Sequence, residues 1–338
     1  MFRFIIRRIF LGIIVLFGVL TLTFIVTRVI PSEPAARWIG PRATAEQIAA
    51  ARIELGLDQP IFIQYVTYIK GLFVGDWGVS ITSHQPVLEE IITYLPASLE
   101  LIFGGIIIAL IVGIPLGVIT AVYKERWIDH LARGFSIGGV SIPAFWLAMI
   151  LQLIFYQQLG WFPLAGRVDT EVSLLYPIDT ITGSFLIDSL LQGNWEFFGN
   201  ALKHSILPIL TMAAFPLGVV TRMTRSSMLE VIGEDYMRVS KAYGVSRMSQ
   251  IFKYALKNAM GPTTTALGLT LAYALTTTFL IESVFSWPGL GLYTSDAILS
   301  ADYPVIMGIT IFVTAGYLII NLVVDIIIAI LDPRIKVN

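Results

Sequence analysis

Apolar positions in this chain gather into runs instead of alternating with polar ones. A membrane-crossing helix needs about 20 consecutive apolar residues. Six uncharged runs of that order stand out: Ile9 to Thr27, Leu101 to Tyr123, Gly134 to Trp161, His204 to Thr221, Asn258 to Ile281 and Tyr303 to Val324. The fourth has the weakest hydropathy, because Pro208 and Pro216 interrupt it. Membrane helices tolerate such prolines where neighbours satisfy the freed carbonyls, so it counts as a span. The first run follows Arg3, Arg7 and Arg8, as a secretory signal would. It is too long for such a signal's apolar region and lacks a small-residue cleavage site, so it reads as an anchor.

Between the first two runs lies Pro31 to Leu99. There Ala45 to Leu57 shows helical spacing of Ile48, Ala51, Ile53 and Leu55, and Gly56 separates it from an amphipathic stretch over Ile61 to Phe73. The spacing predicts a small folded helical cap. The second long connection, Phe162 to Lys203, is rich in Pro, Gly, Asp and aromatics and predicts short helices packed on the same face. No internal repeat is visible, which disfavours transporter folds built from inverted repeats.

Composition points the same way. Of 338 residues, 56% are hydrophobic and 13% charged, with a mean hydropathy of +0.79, against roughly a quarter charged in a soluble domain. The chain reads as one all-α integral membrane domain: residues 1–30 with the first span, the cap at 31–99, and a five-helix core at 100–338. A net charge of −1 argues against nucleic acid. Cysteine is absent, which excludes disulfides, thiolate nucleophiles and Cys-ligated metal.

Lys and Arg accumulate on the cytoplasmic side of membrane proteins and so set orientation. With the N-terminus inside, most of the 22 basic residues fall on inner segments: Arg7 and Arg8, Lys124, Arg126 and Arg133, the group from Arg222 to Lys257, and Arg334 and Lys336. Both termini are thus expected in the cytoplasm.

The most distinctive inner segment runs from Arg222 to Asn258. Tyr236, Val239, Ser240 and Tyr243 share a helical face. Gly244 stands where a glycine ends a helix, and Ser246 where a cap starts the next. Met248, Ile251, Phe252 and Ala255 are the expected apolar face of the second helix. Such a helix, turn and helix suits docking into a groove on another protein. A basic amphipathic loop can equally lie on anionic lipid.

The order of short motifs resembles that of ABC importer permeases, and within them the dipeptide, oligopeptide and nickel branch, first-permease type. The resemblance rests on Phe4-Ile5-Ile6-Arg7-Arg8, Leu55-Gly56-Leu57-Asp58-Gln59-Pro60, Gly75-Asp76-Trp77-Gly78-Val79-Ser80 and Leu95-Pro96-Ala97-Ser98-Leu99-Glu100. It continues through Ser141-Ile142-Pro143-Ala144-Phe145-Trp146, Arg222-Met223-Thr224-Arg225-Ser226-Ser227-Met228, the segment around Gly244, Ile281 to Gly291, and Asp332-Pro333-Arg334. The wider family's signature begins Glu-Ala-Ala six residues before its glycine. Here those positions are Arg238, Val239 and Ser240, and Arg at the first is common in the peptide branch. Tyr243 stands where that branch often has Lys.

The resemblance implies a six-span type I importer permease that forms half of a translocation pathway in a prokaryotic cytoplasmic membrane. It implies as partners a second permease, two ATPase subunits that bind ATP and Mg, and an external substrate-binding protein. The chain has no Gly-x-x-x-x-Gly-Lys-Ser/Thr loop of its own, so no cofactor is expected in it. The residues implied in ATPase coupling are Tyr236, Arg238, Val239, Ala242, Tyr243, Gly244 and Ile251. Glu282, Pro288 and Gly289 are candidates for the pathway or a gate, and Glu282 could instead only orient the Pro-Gly turn. Asp325 could be a proton site or the partner of a basic residue in the coupling segment. His84, His130 and His204 are too scattered to predict a metal site. Peptide is the first expectation for cargo, with small oligosaccharide or nickel as alternatives. An ion-coupled transporter would need more ionisable residues inside the spans, and a membrane enzyme a paired nucleophile and base.

Overall fold

The structure is a computed structural model that describes residues 2–29, 34–40 and 42–331. Pro31, the Asp332-Pro333-Arg334 motif and Lys336 lie outside the described residues. Helices come in the order α1 (Phe2–Val29), α2 (Pro34–Ile39), α3 (Ala45–Glu54), α4 (Ile61–Val74), α5 (Val87–Val122), α6 (Trp127–Ser141) and α7 (Ala144–Leu151). There follow α8 (Thr170–Leu175), α9 (Phe185–Leu191), α10 (Trp195–Gly233), α11 (Asp235–Ala242), α12 (Arg247–Ser249), α13 (Leu256–Phe285), α14 (Leu290–Ser300) and α15 (Tyr303–Leu331). Wide π-turns extend α7 over Gln152–Gln158 and join α12 to α13 over Gln250–Ala255.

Among the described residues four helices are long and apolar enough to cross a membrane: the Ile5–Thr27 part of α1, α5, α10 and the Tyr303–Ile326 part of α15. The number rises to six if each of two bent pairs counts as one span. One pair is α6 with α7, expected as a single run, which turns by 109° at Ile142-Pro143. Proline forces the residue before it out of helical conformation, and Ile142 sits at ψ 126°. The other pair runs from α12 into α13 and bends near Thr276.

The centre of the molecule is the α5–α10 pair. Along α5, Gly105, Ala109, Gly113 and Gly117 recur at every fourth position and are all buried. This row of small residues lets two backbones approach closely, the usual basis of helix association in lipid. A Cβ on Gly117 would lie 2.5 Å from Thr224 Cβ, and one on Gly113 3.1 Å from Val220 Cγ1. Four apolar clusters lie along α5, one of them Ala97 and Leu101 with Ile209 and Trp287. Val87 and Ile91 pack with Leu290, Val305 and Ile309; Ile102 and Ile106 with Leu207, Met212 and Phe285; Val118 and Ala121 with Met228, Met237 and Ala259. One end of the molecule therefore carries α14, and the other carries α11.

The expected cap contains the two helices read from the sequence, as α3 and α4. Thr44 opens α3 with a full capping box, in which its hydroxyl accepts from Gln47 N–H and the Gln47 side chain accepts from Thr44 N–H. The second differs from expectation. α4 lies against α1, with the Tyr65 ring edge-on to Phe24 at 5.1 Å, and leaves Phe62, Phe73 and Val74 exposed.

Candidate functional site

The chain leaves α10 at Gly233, makes a single-residue step at Glu234, and enters α11. α11 ends in a Schellman motif: Val245 N–H donates to Ser240 C=O and Gly244 N–H to Lys241 C=O, both at 3.1 Å. This closure requires a left-handed residue after the last turn, and Gly244 has φ +71°. Ser246 then caps α12 by accepting from Ser249 N–H, and the Gln250 side chain donates to Val245 C=O at 2.7 Å. The segment is thus a rigid turn.

α11 is anchored through Met237, 7% exposed, which packs with Val118, Ala121 and Met228. The opposite face is open, with Tyr236, Arg238, Val239, Ala242 and Tyr243 all exposed and Tyr243 at 84%. The Tyr236 hydroxyl accepts from Asn258 at 2.9 Å, and Arg238 pairs along its own helix, with Asp235 at 3.1 Å. The expected apolar face of the second helix is divided. Ile251 and Ala255 turn inward, while Met248 and Phe252 stand in the open beside Tyr243's helix. The π-turn causes this, since its extra residue per turn displaces the face that a 3.6-residue period predicts. Sequence reading missed Met237 because a single methionine carries no periodic signal.

At the other end, Glu282, Pro288 and Gly289 meet around the start of α14. Glu282 is fully buried, and its carboxylate accepts from Gly291 N–H at 2.7 Å, Leu292 N–H at 3.0 Å and Ser98 Oγ at 2.6 Å. It does for α14 what an N-cap side chain would do, from another helix. Gly289 leaves room for it, because a Cβ there would lie 2.5 Å from both Glu282 Oε2 and Ser98 Oγ. Trp287 locks the turn, with its ring buried and Nε1–H donating to Ala97 C=O at 2.9 Å. Two of the three donors to the Glu282 carboxylate come from the start of α14 and the third from α5.

Several ion pairs were beyond sequence reading. Asp129 on α6 is fully buried and accepts two bonds from Arg225 on α10, at 2.7 and 2.8 Å, the strong bidentate geometry. Glu100 on α5 meets Arg167 at 2.6 Å, and the guanidinium lies 3.8 Å from the Phe185 ring centroid. Asp325 pairs with Arg8 of α1 at 3.1 Å and not, as expected, with the segment around α11. In the connection before α10, Asp188 gathers four donors from Ile181, Thr182 and Gly183. Burial opposes its ionisation, but these bonds prevail and hold its carboxyl below the usual range. His204 bonds Asp169 at 3.2 Å, and Asn200 with His204 lowers the Asp169 carboxyl.

Two cavities flank α10 on its α6 side. One, of about 330 Å³, sits at the α6–α7 break and is lined by Phe145, Phe215, Tyr273 and Thr277 among others. The second, of about 290 Å³, lies nearer α11 between α6 and α10, and the two share Val140 and Ser141.

Comparison with known proteins puts this arrangement in context. The family described as binding-protein-dependent transport system inner membrane component matches residues 113–337, and its N-terminal counterpart matches residues 1–102. The probable D,D-dipeptide transport system permease protein DdpB of Escherichia coli K12 is 45% identical over 323 residues, 96% of this chain and 94% of that protein. The dipeptide transport system permease protein DppB of the same strain is 41% identical over 337 residues, 99% of each. The glutathione transport system permease protein GsiC of Escherichia coli O1:K1 / APEC is 36% identical, again over 99% of each. With its long apolar helices and these matches over nearly its whole length, the chain belongs to the family of inner membrane components of binding-protein-dependent transport systems.

Proposed function

We propose that this chain is one half of the membrane passage of an ATP-driven importer of short peptides. Its six spans follow the type I importer plan, with each bent pair crossing once and α2 to α4 forming the outer segment. The observation that carries the reading is the open face of α11 and α12. Tyr236, Val239, Tyr243, Met248 and Phe252 are held on a rigid turn and left uncovered by the chain itself. A surface of that composition fits a groove on a partner protein. The partners are two ATPase subunits, which bind ATP and Mg and take α11, together with a second permease and an external binding protein. The α11 end then faces the cytoplasm, in keeping with the Lys and Arg around it.

Peptide cargo is drawn from the relatives, whose names specify dipeptides, D,D-dipeptides and glutathione. The test is purification from native membrane in mild detergent, with mass spectrometry of co-purifying proteins and of any small molecule they retain. Recovery of ATPase subunits, a second permease and a peptide-loaded binding protein is the expected result. A bound oligosaccharide or nickel would replace the cargo and leave the machinery intact. Recovery without any ATPase would overturn the reading in favour of an ion-coupled carrier.

A further inference from the structure

The cavity nearer α11 holds an imbalance of charge and of hydrogen bonding. Arg133, Arg222 and Arg225 line it. Arg225 is spent on Asp129, and Arg133 reaches the same carboxylate at 3.4 Å. Two guanidinium groups thus share one acid, and Arg222, on the same cavity, has no ion-pair partner among the described residues. Ser136 and Thr221 also line the cavity, 7% and 2% exposed, and neither hydroxyl has a hydrogen-bond partner. A buried hydroxyl left unpaired is costly, so two of them beside an arginine without an ion-pair partner suit an acceptor-rich, negatively charged group.

We propose that this cavity takes the carboxylate of the cargo, with Arg222 supplying the charge, Arg133 flanking it, and Ser136 and Thr221 donating to its oxygens. The assignment rests on the peptide reading above and names the place where the C-terminal end of the peptide is held. The shared wall at Val140 and Ser141 carries the argument. It sets the cationic cavity directly beside the aromatic and hydroxyl-lined one at the α6–α7 break, so a peptide body in the second would bring its charged end to the first.

The absence of cysteine permits a clean test. Ala132, which lines the cavity, is replaced by cysteine, and the intact transporter with its partners is placed in lipid nanodiscs. The new thiol is modified with an anionic and a cationic methanethiosulfonate, read on this chain alone. The anionic reagent is expected to gain about tenfold over its ratio with a free thiol in solution, an advantage that Arg222→Gln removes and Arg222→Lys keeps. Alanyl-alanine should protect the thiol at about tenfold lower concentration than its C-terminal amide, the worth of one charge-assisted pairing.

Equal protection by acid and amide overturns the proposal. So does protection by inorganic phosphate alone, or labelling that depends on phosphatidylglycerol in the disc, either of which assigns the cavity to phosphate groups. Loss of transport in Arg222→Gln with unchanged protection also overturns it, since the residue would then act elsewhere. Peptide uptake by the unmodified transporter is measured separately. Its failure removes the cargo reading, whereas the reagent preference reports on the cavity's charge regardless.

Discussion

At Gly244 the backbone lies at φ +71°, with nothing within 4 Å of where a side chain would begin. The obstacle to substitution is therefore conformation and not space, and a β-branched residue there costs about 1–2 kcal/mol or more. Gly244→Val is expected to abolish transport-coupled ATP hydrolysis while the complex still assembles, and Gly244→Asn, which tolerates the left-handed region, to retain most of it. Both are read by stimulated ATPase assay. Glu282 presents the opposite case, a side chain with no room to change. Glu282→Gln turns an acceptor of three bonds into a group with donors facing donors, at a cost of about 1–3 kcal/mol. Thermal unfolding in detergent should show that loss, with cargo preference unaltered. Asp188 gives a pH signature. Its carboxyl titrates below the ordinary range in the folded chain, so its stabilisation is complete above that range and fades as pH falls through the depressed value. Protection of the 181–183 amides against exchange, relative to the intrinsic rate at each pH, should fall in acid, and Asp188→Asn should lower it at every pH.

Among the elements, hydropathy located the apolar centres of the spans and misjudged their ends for a physical reason. α5 begins at Val87, well before the expected Leu101, because Glu89, Glu90, Pro96 and Glu100 break the apolar run. Two of those charges are satisfied from afar, Glu90 by the Tyr293 hydroxyl and Glu100 by Arg167, which no linear window can see. The same blindness hid Met237 and the buried ion pairs, whereas Gly244 and Ser246 were legible because caps act locally. The row at Gly105, Ala109, Gly113 and Gly117 was readable as spacing, but its meaning depends on α10 lying across it. Gly117→Val should force α5 and α10 apart, at about 1–3 kcal/mol for overpacking. Gly138→Ala, with open space around its site, should hold or slightly raise the melting temperature.

Over the whole molecule, the first and last long helices are held by Arg8 and Asp325. Reversing either charge alone should lower stability in detergent, and exchanging the two should restore it, a comparison that isolates the pair from its surroundings. The larger consequence comes from the helix that begins at Arg247 beside α11 and continues, through its π-turn and its bend near Thr276, to Phe285 beside the Glu282 turn. This bent helical segment joins the open α11 face with the turn at the far end. Under the proposed function, traffic along it runs both ways. Whatever factor nucleotide applies to the docking of a loaded binding protein, that docking must apply to nucleotide affinity in return. If nucleotide favours docking outside, a loaded receptor arriving there tightens the grip on ATP across the membrane by the same factor.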